Sequence, residues 1–88
     1  MLLTFEIASA MSLKDKRRVM KGLLERARRE LRVSIAEVGF QNRMRSATIA
    51  VTFVGSARAA IDRARSRAER LLTSDPRANA VEITWEWL

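Results

Sequence analysis

Four stretches of the chain alternate apolar and polar residues, which is the period of a strand that is buried on one face only. In the first stretch, Thr4 and Glu6 separate the apolar positions. The apolar positions of the four predicted strands are, in chain order, Leu3, Phe5 and Ile7; Val33, Ile35 and Val38; Ala47, Ile49, Val51 and Phe53; and Val81, Ile83, Trp85 and Trp87. Those of the third strand are expected to face inward. We therefore expect the two tryptophans to anchor the core or its rim.

Two longer segments repeat their apolar residues every three or four positions, as amphipathic helices do. The first segment follows Ser12, and Asp15 stands three residues later in a pattern typical of a helix start. The second segment follows Gly55 and Ser56, the predicted cap, and is expected to stop around Pro76. The predicted buried faces contain Leu13, Met20, Leu23, Leu24, Ala27 and Leu31 in the first helix and Ala57, Ile61, Ala64, Ala68, Leu71 and Leu72 in the second.

The resulting order, β-α-β-β-α-β, consists of two β-α-β halves in which each helix crosses over a sheet. This order predicts an α+β, ferredoxin-like sandwich with a four-stranded antiparallel sheet and two helices on one face. The chain has 88 residues, of which 48% are apolar and 31% charged, so it is expected to form a single globular domain over residues 1–88.

Composition argues against the common catalytic and metal sites. The chain has neither Cys nor His, so it lacks disulfides, the usual zinc ligands and the usual catalytic triads. Its three glycines are far apart, which leaves no phosphate-binding loop. Glu6, Glu82 and Glu86 could approach one another if the first and last strands pair, but we expect solvated acids there. We predict a protein with no catalytic residues, no metal site and no cofactor.

The localisation that we predict is cytoplasmic, without membrane association. No apolar run approaches the roughly 20 residues that a membrane-spanning helix needs. The apolar start of the chain is interrupted by Glu6 and has no basic leading region, so it does not resemble a signal peptide.

Positive charge is concentrated in the first predicted helix. The net charge is +7, from 17 basic and 10 acidic residues, which favours polyanionic partners. On a helical wheel Lys14, Arg17, Lys21, Arg28 and Arg32 share one flank of the apolar stripe, and Arg18 and Arg29 extend it. Lys16 lies beside the stripe, where its stem is expected to pack while its amine reaches water. An arginine-rich composition also follows from a GC-rich genome, so charge alone leaves a purely solubilising role open.

A one-sided band of this kind is typical of a surface that contacts phosphates. We predict that the nucleic-acid-binding residues are Lys14, Arg17, Arg18, Lys21 and Arg28, joined by Arg43 and Arg45 if the connection between the second and third strands folds towards the helix. The open face of the sheet is not expected to stack bases. Its outward positions carry threonines, alanines and acids, whereas Phe5 and Phe53 point inward.

Two segments, "SLKDKRRVMKGLLERAR" (residues 12–28) and "VSIAEVGFQN" (residues 33–42), together resemble the YlxP-like family of small bacterial proteins of unassigned function. The resemblance implies a ferredoxin-like fold. It also implies a genomic setting near ribosome-binding factor A and initiation factor two, and hence association with RNA or the ribosome. The family commonly has "GHQD" where this chain has "GFQN", so Phe40 and Asn42 replace a His and an Asp. The family supplies no catalytic residues to carry over.

Two other functions remain open at this point. A protein-interaction module could form a homo-oligomer through the open sheet face, where Val54 and Leu88 accompany small residues between the acids. An enzyme that acts on an anionic small molecule would need a pocket with converging arginines.

Overall fold

The elements follow the predicted order, β-α-β-β-α-β. A computed structural model describes residues 1–87, and Leu88 lies outside the described part of the chain. The strands are β1 (Leu2–Glu6), β2 (Ser34–Gly39), β3 (Ser46–Thr52) and β4 (Asn79–Thr84), and the helices are α1 (Leu13–Glu30) and α2 (Arg58–Leu72).

Helix α1 begins as its sequence predicts. Ser12 is the N-cap, and its Oγ accepts a hydrogen bond from the Asp15 backbone N–H at 3.0 Å. Asp15 in turn accepts the Met11 backbone N–H at 3.1 Å. Two backbone N–H groups at the helix start are thereby satisfied, and the carboxylate lies at the positive end of the helix dipole.

The predicted cap of α2 is wrong, because the N-cap position is Ala57 and no side chain caps it. Gly55 has a packing role instead: a Cβ there would lie 3.0 Å from Ile61 Cγ1, so the residue permits a close approach to the helix. At the other end the Ser74 hydroxyl donates to the Leu71 carbonyl, and the helix ends before Pro76.

The four strands form one antiparallel sheet in the order β2-β3-β1-β4, which confirms the ferredoxin-like prediction. Leu3 lies opposite Ile49 on one side and Ile83 on the other, so the inward phase continues across the sheet, although Ile83 in the edge strand is exposed and outside the core. The core between sheet and helices contains Leu3, Phe5, Ile7, Ala10, Val19, Met20, Leu23, Ala27, Leu31, Ile35, Ala47, Ile49, Val51, Ala68, Leu71, Leu72 and Ala78.

Two irregularities in the edge strands overturn parts of the predicted alternation. In β2 the register shifts between Glu37 and Gly39, and Val38, which is out of phase with the inward residue Ile35, is 52% exposed. In β4 the register shifts beside Val81, which is 56% exposed. A bulge adds one residue to a strand and reverses which face the following side chains occupy. In β2, Glu37 precedes the shift and is in phase with Ile35, so it occupies an inward position opposite Ile49.

Candidate functional site

The exposed flank of α1 carries a group of positive charges, most of them unpaired. Lys14, Arg17, Arg18 and Lys21 are all exposed, within two turns of the helix start. Within residues 1–87, no carboxylate lies within 4.0 Å of the amine or guanidinium of the first three. Lys21 has only a loose contact, 4.0 Å to Glu25. These cations are free to bind an anion without first breaking an ion pair.

Arg28, also predicted to bind phosphate, has a structural contact. Its Nη2 donates to the Ile35 carbonyl of β2 at 3.0 Å. Gln41 makes a similar contact, donating from Nε2 to the Glu37 carbonyl at 3.2 Å. Both side chains satisfy backbone acceptors of an edge strand. Arg28 is therefore partly committed to the fold, although the residue itself remains exposed.

The connection that carries Arg43 and Arg45 lies against the start of α1, which was the condition for including both residues in the predicted site. Arg45 Nε donates to the Ala10 carbonyl at 3.2 Å, and the Arg45 carbonyl accepts the Ile7 N–H at 2.9 Å. The Arg43 guanidinium carbon lies 5.5 Å from the centre of the Phe40 ring. Both arginines therefore lie at the end of the molecule where α1 begins.

A buried ion pair joins this connection to α1, and the sequence interpretation missed it. Lys16 is 1% exposed, and its Nζ lies 2.9 Å from Glu37 Oε2 and donates to the Phe40 carbonyl. The expectation that Lys16 reaches water is wrong, because Glu37 places a carboxylate on the face of β2 that is turned towards the helix. The signal was Glu37 itself, which alternates in phase with the inward residue Ile35.

The two helices also form a second basic surface, which was not predicted. Arg26, Arg67 and Arg70 line a cavity of about 310 Å³ between α1 and α2. Arg26 is already engaged, because its guanidinium lies 3.4 Å from Glu30 and 3.4 Å from the Ser74 hydroxyl. This surface contains fewer free cations than the α1 flank.

The tryptophans form an aromatic cluster at the opposite end of the sheet. Phe53 meets Trp85 edge-to-face at 5.5 Å, and Trp85 meets Trp87 at 5.3 Å. Arg65 and Arg58 of α2 lie over the two indole rings, at 5.0 and 4.3 Å. A mainly apolar cavity of about 610 Å³ adjoins the cluster. Trp85 is half-buried and Trp87 lies at the rim, and both positions agree with the expectation that the tryptophans anchor the core or its rim.

Carboxylates do not gather into a metal site in the described part of the chain. β1 and β4 do pair, but Glu82 lies opposite Thr4 and Glu6 lies opposite Asn79. In the loop before β4, hydrogen bonds from Arg77 lower the pKa of Asp75 below its ordinary value. This paired carboxylate holds the loop and is not available as a ligand. Among residues 1–87, no helix is long and apolar enough to cross a membrane.

The architecture defines an α+β protein of the ferredoxin-like class with a basic first helix. A family model described as "Protein of unknown function (DUF503)" matches residues 1–85, and the chain belongs to this family. The chain is also 31% identical, over 81 residues, to "Uncharacterized protein YlxP" of Bacillus subtilis (strain 168), which covers 92% of this chain and 88% of that protein. These matches confirm the resemblance to the YlxP-like family, and neither name indicates an activity.

Proposed function

We propose that this protein is a non-catalytic RNA- or ribosome-associated protein of the cytoplasm that binds phosphate backbone through the start of α1. The observation that carries the proposal is the group of exposed, unpaired cations Lys14, Arg17 and Arg18. Lys21 and the arginines of the neighbouring connection enlarge the same surface. Arginine and lysine side chains without competing carboxylates provide both the charge and the donors that phosphates require.

The distribution of charge supports a binding surface over a solubilising one. A helix that only needs to stay in solution tends to place opposite charges four residues apart. Arg26–Glu30 and Arg65–Glu69 follow that pattern, with contacts of 3.4 and 3.6 Å. At the start of α1 only the loose Lys21–Glu25 contact, at 4.0 Å, follows that pattern, and no ion pair within the described residues offsets the repulsion among the cations before Lys21.

The salt dependence of RNA binding tests this proposal. If about five phosphates of a single-stranded or loop RNA are neutralised, the logarithm of affinity should fall with the logarithm of salt at a slope near −3.5. Reversing Arg17, Arg18 and Lys21 to glutamate removes three contacts and should reduce the slope to about −1.4. Fluorescence anisotropy with a labelled oligoribonucleotide measures both slopes, and circular dichroism confirms that the variant is folded.

A matched control is available on α2. Reversing Arg63, Arg67 and Arg70 changes the net charge by the same amount at three exposed positions. We expect this variant to keep a slope close to that of the unmodified protein. Equal losses in the two triple variants would show that binding follows total charge, and a flat salt response of the unmodified protein would exclude the proposal.

Self-association is the second candidate, and exposed apolar side chains at one end of the sheet favour it. Val54 is 99% exposed and Leu2 is 44% exposed. Between the strands the open face is more polar, because the hydroxyls of Thr4 and Thr48 lie 3.1 Å apart and form a hydrogen bond. Leu88, the other predicted contact, lies outside the described residues. Sedimentation equilibrium tests this candidate, because a 10.0 kDa species at every concentration would exclude it.

A further inference from the structure

The residue that follows β2 has an unusual backbone and an exposed aromatic ring. Phe40 has a φ of 56°, the only positive value for a non-glycine residue within the described chain. Its ring is nevertheless 46% exposed, so burial of the ring does not account for the conformation. Bulky residues rarely adopt this region, and such outliers persist only where the surroundings hold them.

Two hydrogen bonds hold Phe40 through its carbonyl group. Lys16 Nζ donates to this oxygen from inside the core, and the Arg43 backbone N–H donates to it at 3.0 Å. The buried Glu37 carboxylate holds the Lys16 amine in turn. The backbone of Phe40 is thereby held in place, and the residue is left partly exposed at the surface.

The groups around the Phe40 ring are those that would bind an unstacked nucleobase and its neighbouring phosphates. The Arg43 guanidinium lies over the ring, and Arg45 and the first turn of α1 are adjacent through the contacts described above. Nucleobases stack on aromatic rings and on guanidinium planes, while lysine and arginine receive the phosphates. The other exposed aromatic ring of the described chain, Trp87, lies at the far end of the sheet, away from the cations at the start of α1.

We infer that Phe40 and Arg43 form a base-stacking element, and that the RNA bound at the start of α1 is therefore single-stranded. Bases of a duplex are already stacked on their neighbours and cannot contact a protein ring face. A loop or single strand can place one base on Phe40 and lead its backbone along the α1 cations, which extend about 10 Å from Lys14 to Lys21. This inference rests on the proposed function and deepens it.

Anisotropy titrations test the inference. They compare three labelled ligands: an oligouridine strand, the same strand lacking bases, and a duplex of equal length. Phe40→Ala and Phe40→Asn both remove the ring, and asparagine tolerates the left-handed backbone, so one of the two should fold even if the other does not. We expect each to weaken single-strand binding about 5- to 100-fold. Phe40→Trp should keep the affinity, and Trp87→Leu serves as the aromatic control at the other end of the sheet.

The salt slope separates failure of this inference from failure of the proposed function. Because no phosphate contact is lost, Phe40→Ala should keep the slope of the unmodified protein. Two results would overturn the stacking element alone. One is single-strand binding within twofold of the unmodified protein in both ring-deleted variants. The other is equal affinity of the protein for the single strand and for either the base-free strand or the duplex. Absence of any salt-dependent binding would overturn the proposed function as well, and an equal loss in Trp87→Leu would place stacking elsewhere.

Discussion

Replacing Lys16 by methionine should strongly destabilise the protein. The amine is buried, with the Glu37 carboxylate 2.9 Å away and only 19% of that side chain exposed. Breaking a buried ion pair by removing one partner costs about 3–5 kcal/mol, because the other charge stays buried without compensation. Since water reaches part of Glu37, we expect a loss of about 3 kcal/mol, or about 12–24 °C in Tm for a domain of this size.

The double variant Lys16→Met/Glu37→Leu separates the ion pair from other effects of the substitution. Apolar replacement of both partners of a buried pair is often neutral, so we expect the double variant to lie within about 1 kcal/mol of the unmodified protein. The Phe40 carbonyl keeps the Arg43 N–H in both variants, so no buried acceptor is left unpaired. Glu37→Leu alone should cost at least as much as Lys16→Met, because Lys16 is the more deeply buried charge.

Urea denaturation measures these differences. Trp85 and Trp87 are the two tryptophans of the chain and lie together in the aromatic cluster, so their fluorescence reports unfolding far from the substitutions. Lys21→Met is the matched control, because its exposed pair with Glu25 should contribute less than about 0.5 kcal/mol. If Lys16→Met and Lys21→Met shift the urea midpoint equally, the buried pair does not stabilise the fold as we argue.

Two further predictions concern other parts of the fold. Gly22→Ala should stabilise the protein by about 0.5–1 kcal/mol, because the residue lies within α1 and a Cβ there meets nothing within 4 Å; a lower urea midpoint would contradict this. The pKa of Asp75 is lowered by its hydrogen bonds with Arg77. The ionised carboxylate therefore stabilises the fold above the ordinary pKa of 3.8, and this stabilisation is lost as the pH falls through the lower folded pKa. Asp75→Asn should therefore make the free energy of unfolding less dependent on pH below about pH 4. Urea titrations at several pH values measure this, and the same pH dependence in the variant and the unmodified protein would count against the Asp75–Arg77 pair.

The element order could be predicted from sequence because the apolar period changes clearly between strands and helices. Ser12 and Asp15 likewise gave the start of α1, since a capping pattern is local in sequence. The exposure of Val81 comes from a bulge, which depends on how a strand pairs with its neighbour and cannot be seen in the alternation of one strand. The inward position of Glu37 was missed for a different reason: a charged residue was not counted in the apolar pattern, although it keeps the phase of Ile35.

The candidate site was predictable in its charges but not in its contacts. Lys14, Arg17 and Arg18 are exposed because they lie away from the apolar stripe, which a helical wheel shows. The burial of Lys16 depends on a carboxylate 21 positions along the chain, and the contact of Arg28 with β2 depends on how the helix crosses the sheet. Neither follows from local periodicity. The charge band could therefore be located in advance, whereas the connection that completes it could not.

The two edges of the sheet differ in a way that limits how copies of this chain could join. Strand addition at β2 would displace the side chains of Arg28 and Gln41, which already occupy the carbonyls of Ile35 and Glu37. Within the described residues, β4 has no such side-chain cover. Edge-to-edge pairing would therefore proceed through β4 alone, leaving a protected β2 at both outer edges. Assembly by this route would stop at two copies and would not extend into a fibre.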